Sequence, residues 1–376
     1  MKRKILFTSH TANFHKFNRP LMRMLRGKLE APYDDLNIGG WQVDYACMCE
    51  EEVHDADKVF KVDFARNPLR FDKHVKAYRQ LKKIISEGNY DAIHTHTPVG
   101  SIVTRWAAKN ARKNGTKVIY TCHGFHFYDG APKMNWRIYY PLERKFAKDT
   151  DLLITINRED FARAKNDFSC PVKMIDGAGV DVAKFQKTTK AEQKAARKKY
   201  GLKEDDFVMV YLAEYTANKN HEMLVRAAAP IMRENPKIKL LFLGEGAQMS
   251  IVRDLAKELG VADCVVMPGY IRDNYAALVQ SCNLCVSASK REGLGLGVLE
   301  AILCGLPTLL ADNRGHRDIV DNKKKYLFAL DDIDALTRKM RDAIKEPTKY
   351  HLDFPERYSL RNSLSEMRAI YEEILG

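Results

Sequence analysis

The 376 residues are 45% hydrophobic and 30% charged, a balance that fits a globular chain and excludes disordered, collagenous and low-complexity classes. That length is enough for two domains with full cores, and no apolar run approaches the roughly 20 residues that cross a bilayer. Net charge is 62 − 49 = +13; residues 1–175 hold 31 Lys and Arg against 20 Asp and Glu, whereas residues 176–376 hold 31 against 29. The basic first half is expected to meet something anionic: a membrane surface, a phosphorylated substrate or nucleic acid.

The opening "MKRKILFTSH" has too few apolar residues for a signal-peptide core and reads as a first strand, Lys4–Thr8. A cytoplasmic chain, able to lie on a membrane, is expected. Further strands are expected at Val43–Met48, Ala92–His94, Val118–Cys122, Leu152–Ile156 and Val172–Ile175. Between them lie helical patterns such as Phe71–Ile85, where Phe71, Val75, Tyr78, Leu81 and Ile85 line one face. After a polar, basic stretch from "DGAGVDVAKF" onward, a second series follows: Phe207–Ala213, Ile238–Gly244, Cys264–Met267, Leu284–Ser287 and Pro307–Ala311. Helices over His221–Arg233 and Met249–Leu259 separate these strands. Alternation of this kind predicts α/β architecture with two Rossmann-like units and a ligand cleft between them near the strand C-termini.

The eight cysteines are scattered. Cys282-x-x-Cys285 is half a zinc spacing with no second pair, and Cys47-x-Cys49 is equally isolated, so reduced thiols are expected. D-x-D pairs at Asp55–Asp57, Asp149–Asp151 and Asp332–Asp334 lie outside any glycine-rich loop, and no metal is expected. "NFHKFNRPLMRMLRGKL" sets Phe14, Phe17, Leu21 and Leu25 among Lys16, Arg19, Arg23, Arg26 and Lys28. "MNWRIYYPLERKFAK" repeats the theme with Trp136, Arg137, Tyr139, Tyr140 and Arg144. Such segments suit an anionic membrane interface, or equally core-facing helices with solvated basic faces. No nucleic-acid recognition motif accompanies the charge, so no nucleic acid is expected.

The densest chemistry is in "LCVSASKREGLGLGVLEAILCGLP". It reads as a strand, a glycine-rich loop and a helix starting near Gly297, with Glu300 in its first turn and Glu292 at the loop mouth. Backbone N–H groups and the helix dipole at such a junction favour a phosphate, and the alternate glycines let backbone approach a ligand. The pattern is neither a dinucleotide fingerprint nor a P-loop.

"EGLGLGVLEAILCGLP" resembles the E-x7-E signature of retaining glycosyltransferases of family 4, also called group 1. "LFLGEG" and "MPGYIRD" also stand in the order expected of that family, and "TPVGS" followed by "YTCHGFHFY" is similar to bacterial members that build capsular or exopolysaccharide units. The resemblance implies a GT-B fold, two Rossmann-like domains facing across a central cleft. Residues 1–178 would form the acceptor-side domain and 179–355 the nucleotide-sugar domain, with a C-terminal helix over about 356–376 packing back on the first. It implies that Glu292 grips the donor sugar beside a sugar-side loop of Gly293, Leu294 and Gly295, and that Glu300 binds the ribose. Lys219 with the amides of Leu296 and Gly297 would bind the diphosphate, and Tyr270, Ile271 and Arg272 would flank the base. His123 would face donor sugar and acceptor; from the residues alone, His123 and His126 are equally a partial metal site or satisfied core histidines.

The activity implied is sugar transfer from a nucleotide sugar, UDP-linked by expectation, to a hydroxyl of a polyprenyl-diphosphate-linked saccharide. No cofactor or metal is implied, the enzyme is placed at the inner membrane face, and oligomeric state is left open. Two departures stand out. Glu214 occupies the place of a family arginine, for which Arg291 or Arg314 would have to compensate, and "SHTANFHKF" lacks the usual glycine loop. Rival readings are a glycoside hydrolase using both glutamates, a sugar-nucleotide epimerase, and a non-catalytic basic protein that binds membrane or nucleic acid.

Overall fold

The computed structural model describes residues 2–11, 14–48, 53–65, 70–330 and 332–376. Contacts divide the chain into two compact units, Met1–Gly179 joined by Leu360–Gly376, and Val180–Ser359.

The first unit begins β1 (Arg3–Thr8), α1 (His15–Arg26), β2 (Trp41–Cys47), β3 (Lys58–Lys61), α2 (Phe71–Gly88) and β4 (Ala92–His96). It continues α3 (Pro98–Lys113), β5 (Lys117–Cys122), α4 (Lys133–Ala147), β6 (Leu152–Thr155), α5 (Arg158–Asp167) and β7 (Val172–Met174). Seven parallel strands lie in the order β3-β2-β1-β4-β5-β6-β7. The central runs "ILFT", "AIHTH" and "LLIT" are buried on both faces, as a parallel sheet covered by helices requires. The edge strand β3, "KVFK", is largely exposed with lysine at each end. It shows no apolar run, which is why sequence periodicity passes over it; edge lysines discourage pairing with another chain.

The second unit holds α6 (Lys190–Lys199), β8 (Phe207–Leu212), α7 (His221–Glu234), β9 (Ile238–Leu243), α8 (Met249–Glu258), β10 (Val265–Gly269) and α9 (Tyr275–Gln280). Then come β11 (Leu284–Ser287), α10 (Leu296–Leu303), β12 (Thr308–Ala311), α11 (Arg314–Ile319), β13 (Leu327–Phe328) and α12 (Ile333–Lys345). Its six strands are parallel in the order β10-β9-β8-β11-β12-β13. The basic helix α6 starts on a capping box, in which Thr189 and Glu192 satisfy each other's backbone N–H. Val208, Val210, Leu241, Leu278, Cys285 and Ala301 share this unit's core. Cys122, Cys170, Cys264, Cys282, Cys285 and Cys304 are free thiols, while Cys49 lies outside the described residues.

The last helix, α13 (Leu360–Leu375), belongs to the first unit. Right-handed crossovers set α2 to α5 on one face of the seven-stranded sheet, where α2 packs on α3 and α3 on α4; α1 and α13 pack together on the other. The face expected for α2 needs correction. Ala77, Leu81 and Ile85 are its buried residues, whereas Phe71 and Val75 are exposed. At about 100° per residue the stripe through Phe71 and Val75 stands roughly a quarter-turn away from the buried one.

A buried ion pair joins α3 to α4. Arg105 Nη2 donates to Glu143 Oε2 at 2.6 Å with both side chains no more than 2% exposed. The guanidinium lies 4.3 Å from the Tyr120 ring centroid, and Tyr120 Oη donates to Glu143 Oε1 at 3.0 Å. Removing one partner would strand the other charge in the interior. Arg105→Met is therefore expected to lower unfolding free energy by about 3–5 kcal/mol. Arg105→Met combined with Glu143→Gln should recover most of that loss in urea titrations; equal losses for single and double variants would contradict the pair's role.

Candidate active site

In the second unit the strand order reverses between β8 and β11, and ligands of open α/β sheets bind in the crevice at such a switch point. The loop after β8 carries Lys219, and the loop after β11 carries Glu292. Several bonds tie the two loops together. Lys290 N donates to Asn218 O at 2.8 Å, and Asn218 Nδ2 donates to Arg291 O at 2.9 Å. Tyr211 Oη donates to Lys219 O at 2.9 Å and lies 2.7 Å from Ser289 Oγ. On this frame Lys219 Nζ meets Glu292 Oε1 at 2.5 Å. Burial alone would raise the Glu292 carboxyl, yet the Lys219 ammonium, its hydrogen bond and one from Ser289 hold it below the ordinary range.

Two glycines set α10 in place, for reasons other than ligand approach at one of them. Gly295 caps the helix at φ 115°, a left-handed conformation that favours glycine. A Cβ on Gly297 would lie 2.5 Å from Leu212 O, so its bare Cα faces strand β8. The helix starts at Leu296 and has no acid in its first turn; Glu300 lies one turn further in, because Gly295 takes the cap. Tyr275 Oη donates to Glu300 Oε2 at 2.7 Å, while burial raises this carboxyl above its ordinary range. The first N–H groups of α10 lack intrahelical acceptors by geometry, and so face any anion in the crevice.

The other sequence-predicted residues are more dispersed. Leu294 is buried. Gly293 belongs to the same loop, between Glu292 and Leu294. Tyr270 is exposed after β10, with the Arg272 guanidinium 5.8 Å from its ring centroid, but Ile271 turns into the core. The Tyr270 loop follows β10, two strands from β8 in the sheet order. Glu214 is exposed. Of the two arginines considered as substitutes, Arg314 is buried and donates from Nε to Glu292 O at 3.3 Å. It thus supports the loop from below.

Sequence reasoning missed the polar layer beneath that loop. Asn313 caps α11 by accepting from His316 N at 3.1 Å and donates to Ser289 O at 2.8 Å. His316 Nδ1 donates to Ala311 O at 2.8 Å, leaving Nε2 to accept from Ser287 Oγ at 3.3 Å. Burial lowers its pKa despite nearby Glu292, so the imidazole is neutral. The signal available was "DNRGHRD" following strand β12.

In the first unit the order reverses between β1 and β4. Beside that point His10 Nδ1 lies 2.8 Å from Thr97 Oγ1, and Thr97 has φ 69°, a costly conformation for a β-branched residue. His123 follows β5, with Nε2 3.1 Å from Nδ1 of His96 and the Phe14 ring edge-on at 4.6 Å. His94 bonds Tyr371 Oη at 2.7 Å and Thr121 Oγ1 at 2.8 Å. Burial pushes His94 and His123 down to about 3 and His96 well down, so the cluster is uncharged near neutrality. His96 and His123 line a mostly apolar pocket with Phe17, Leu21, Leu364 and Met367. His126 stacks on Tyr139 instead. Among the described residues no group of three His, Cys, Asp or Glu is placed to hold a metal.

Two parallel-sheet domains, with a glycine-loop helix at the switch point of the second, define the class as GT-B. Solved structures share the fold. Sucrose-phosphate synthase from Thermosynechococcus elongatus matches with a TM-score of 0.78 at 18% identity over 99% of both chains. HepE from Anabaena, in complex with UDP and glucose, matches at 0.71 and 18% over 99% of this chain and 96% of that one. The profile described as Glycosyltransferase Family 4 matches residues 36–175, and that described as Glycosyl transferases group 1 matches residues 192–359. The chain belongs to this family and is a glycosyltransferase, EC 2.4. Among its relatives is a Bacillus subtilis (strain 168) protein named as a glycosyltransferase, EpsD, 39% identical over 92% of this chain and 89% of that protein. An Escherichia coli UDP-Gal:alpha-D-GlcNAc-diphosphoundecaprenol alpha-1,3-galactosyltransferase is 28% identical over 78% of each.

The two glutamates should have opposite pH signatures. Glu292 titrates below its ordinary 4.5 when folded, so its stabilisation is present above pH 4.5 and lost as pH falls through the folded value. Glu300 titrates above 4.5, so its contribution is present below pH 4.5 and lost as pH rises through the folded value. In urea titrations across pH, Glu292→Gln is expected to flatten the acid limb below pH 4.5. Glu300→Gln should lessen the decline above it; an unchanged profile in either variant would contradict these environments.

Proposed function

We propose that this glycosyltransferase moves a sugar from a UDP-sugar to a hydroxyl of a polyprenyl-diphosphate-linked saccharide, with retention of anomeric configuration and without a metal. The observation that carries the reading is the Lys219–Glu292 pair, 2.5 Å apart, at the β8/β11 switch point beside the start of α10. Donor binding replaces that pair. The Lys219 ammonium and the Leu296 and Gly297 amides take the diphosphate, which frees the Glu292 carboxylate for the sugar hydroxyls.

As the glycosidic bond breaks, charge grows on the leaving diphosphate. A fixed ammonium and a helix N-terminus stabilise it without reorganisation. Glu300 accepts from the ribose hydroxyls, and Tyr270 and Arg272 flank the base, with Ile271 contributing its backbone because its side chain packs in the core. Gly293, Leu294 and Gly295 form the sugar-side loop. His123, neutral at working pH, handles the acceptor hydroxyl. Support for the donor comes from HepE, whose structure holds UDP and glucose. Support for the acceptor comes from the Escherichia coli galactosyltransferase, whose name gives a sugar-diphosphoundecaprenol as its acceptor. We place the enzyme on the cytoplasmic face of the membrane, where such a carrier presents its sugar. A hydrolase is disfavoured because Glu292 is engaged with an ammonium, and its burial with Lys219 suits an anionic ligand better than activation of water.

Lys219→Ala is expected to depress transfer at least about tenfold, and Glu300→Ala to weaken UDP binding at least about fivefold by calorimetry. Wild-type values for either variant would remove that residue from the donor site. EDTA should leave turnover unchanged; loss of activity restored by a divalent cation would overturn the metal-free reading.

A further inference from the structure

The helical layer α2–α3–α4 of the first unit presents apolar side chains to solvent. Phe71 is 70% exposed, Met134 58%, Val75 39% and Trp106 38%. Trp106 stacks on Tyr78 with ring centroids 4.1 Å apart, and the Lys82 ammonium lies 5.9 Å from the Tyr78 ring. Because α2 begins where β3 leads into it and α4 where β5 does, Phe71, Val75 and Met134 stand toward the strand C-terminal end of the layer, the end that carries His123.

Basic residues share these helices, Lys133 and Arg137 beside Met134 at the start of α4 and others at its far end. Lys133, Arg137, Arg144, Lys145 and Lys148 are all exposed along one side of α4 and its cap, spaced as neighbours on a helix. Among the described residues none of the five has an ion-pair partner, and Arg144, Lys145 and Lys148 share a groove with Asp167. On α2, Lys76 and Lys83 pair with Asp63 and Glu87, whereas Lys73, Arg79 and Lys82 remain available. Helix α1 is different. Its Arg19, Arg23 and Arg26 are matched by Asp55, Glu30 and Asp57. Much of the first unit's uncompensated charge therefore lies on the helices that carry its exposed apolar groups.

We infer that this face docks the protein on an anionic lipid bilayer. Phe71, Val75, Trp106 and Met134 enter the boundary between headgroups and acyl chains, and the lysines and arginines meet anionic headgroups. A protein partner fits less well, since the apolar groups are single side chains on three helices divided by charges, without the contiguous apolar centre of a protein interface. The inference rests on the lipid-linked acceptor proposed above for its purpose, but its test does not need turnover.

The full chain is sedimented with vesicles of phosphatidylcholine alone, and of phosphatidylcholine mixed with phosphatidylglycerol. Binding is expected only to the anionic vesicles and should weaken as salt rises. Phe71→Ser with Trp106→Ser should weaken it at least about tenfold, and so should Lys133→Glu with Arg137→Glu and Lys145→Glu. Arg19→Glu with Arg23→Glu on α1 should leave it near wild type. Circular dichroism confirms folding of each variant, and UDP calorimetry should show donor binding retained. The inference is overturned by absence of binding to anionic vesicles, by face variants that bind like wild type, or by loss only in the α1 variant. Vesicle binding without sugar transfer would count against the proposed function alone.

Discussion

The second domain's chemistry depends on how closely α10 approaches β8. With no side chain at Gly297, the helix backbone seats against Leu212 O, and its N-terminus is brought to the crevice between β8 and β11. Lys219 enters the same crevice from the neighbouring strand. Hydrogen bonds through Asn218, Tyr211 and Ser289 then hold the two loops at a spacing that lets ammonium and carboxylate meet. A larger residue at 297 would move the helix dipole and Glu300 as one body. The glycine therefore acts on ligand chemistry through packing.

The candidate groups of the two domains differ in their electrostatics. In the second, a lysine and a carboxylate remain charged in a partly buried setting, because each answers the other and because neutral Asn313 and His316 support the loop from below. Partners of that kind suit a ligand that carries its own charge. In the first, burial keeps His94, His96 and His123 neutral. A neutral imidazole can accept or donate a proton's hydrogen bond without placing a cation beside the substrate.

Much of this organisation was legible in the sequence because it is local. Apolar runs of strand length gave the series of parallel strands, and one stretch of glycines bounded by two glutamates marked the loop and helix of the second domain. What was not legible depends on partners far apart in the chain. Nothing near Tyr275 announces that its hydroxyl serves Glu300, and Tyr211 and Ser289 meet across 78 positions. The packing role of Gly297 was not legible for the same reason, since the atom its bare Cα faces belongs to another strand. For α2 the error was geometric: a line drawn from Phe71 to Ile85 drifts around the helix, and the structure resolves it into a buried stripe and an exposed one.

The return of α13 to the first domain bears on how the protein is made. Its Tyr371 hydroxyl bonds to His94, 277 positions earlier, and Ser363 Oγ donates to Gly177 O. A ribosome that has released the whole seven-stranded sheet has still not released the helix that covers its α1 side, because the entire second domain comes first. The nascent first domain must wait with His94 and the α1 side chains that meet α13 uncovered, exposed to chaperones and to premature association. Deleting α13 would thus damage a domain whose sheet is encoded ahead of the whole second domain.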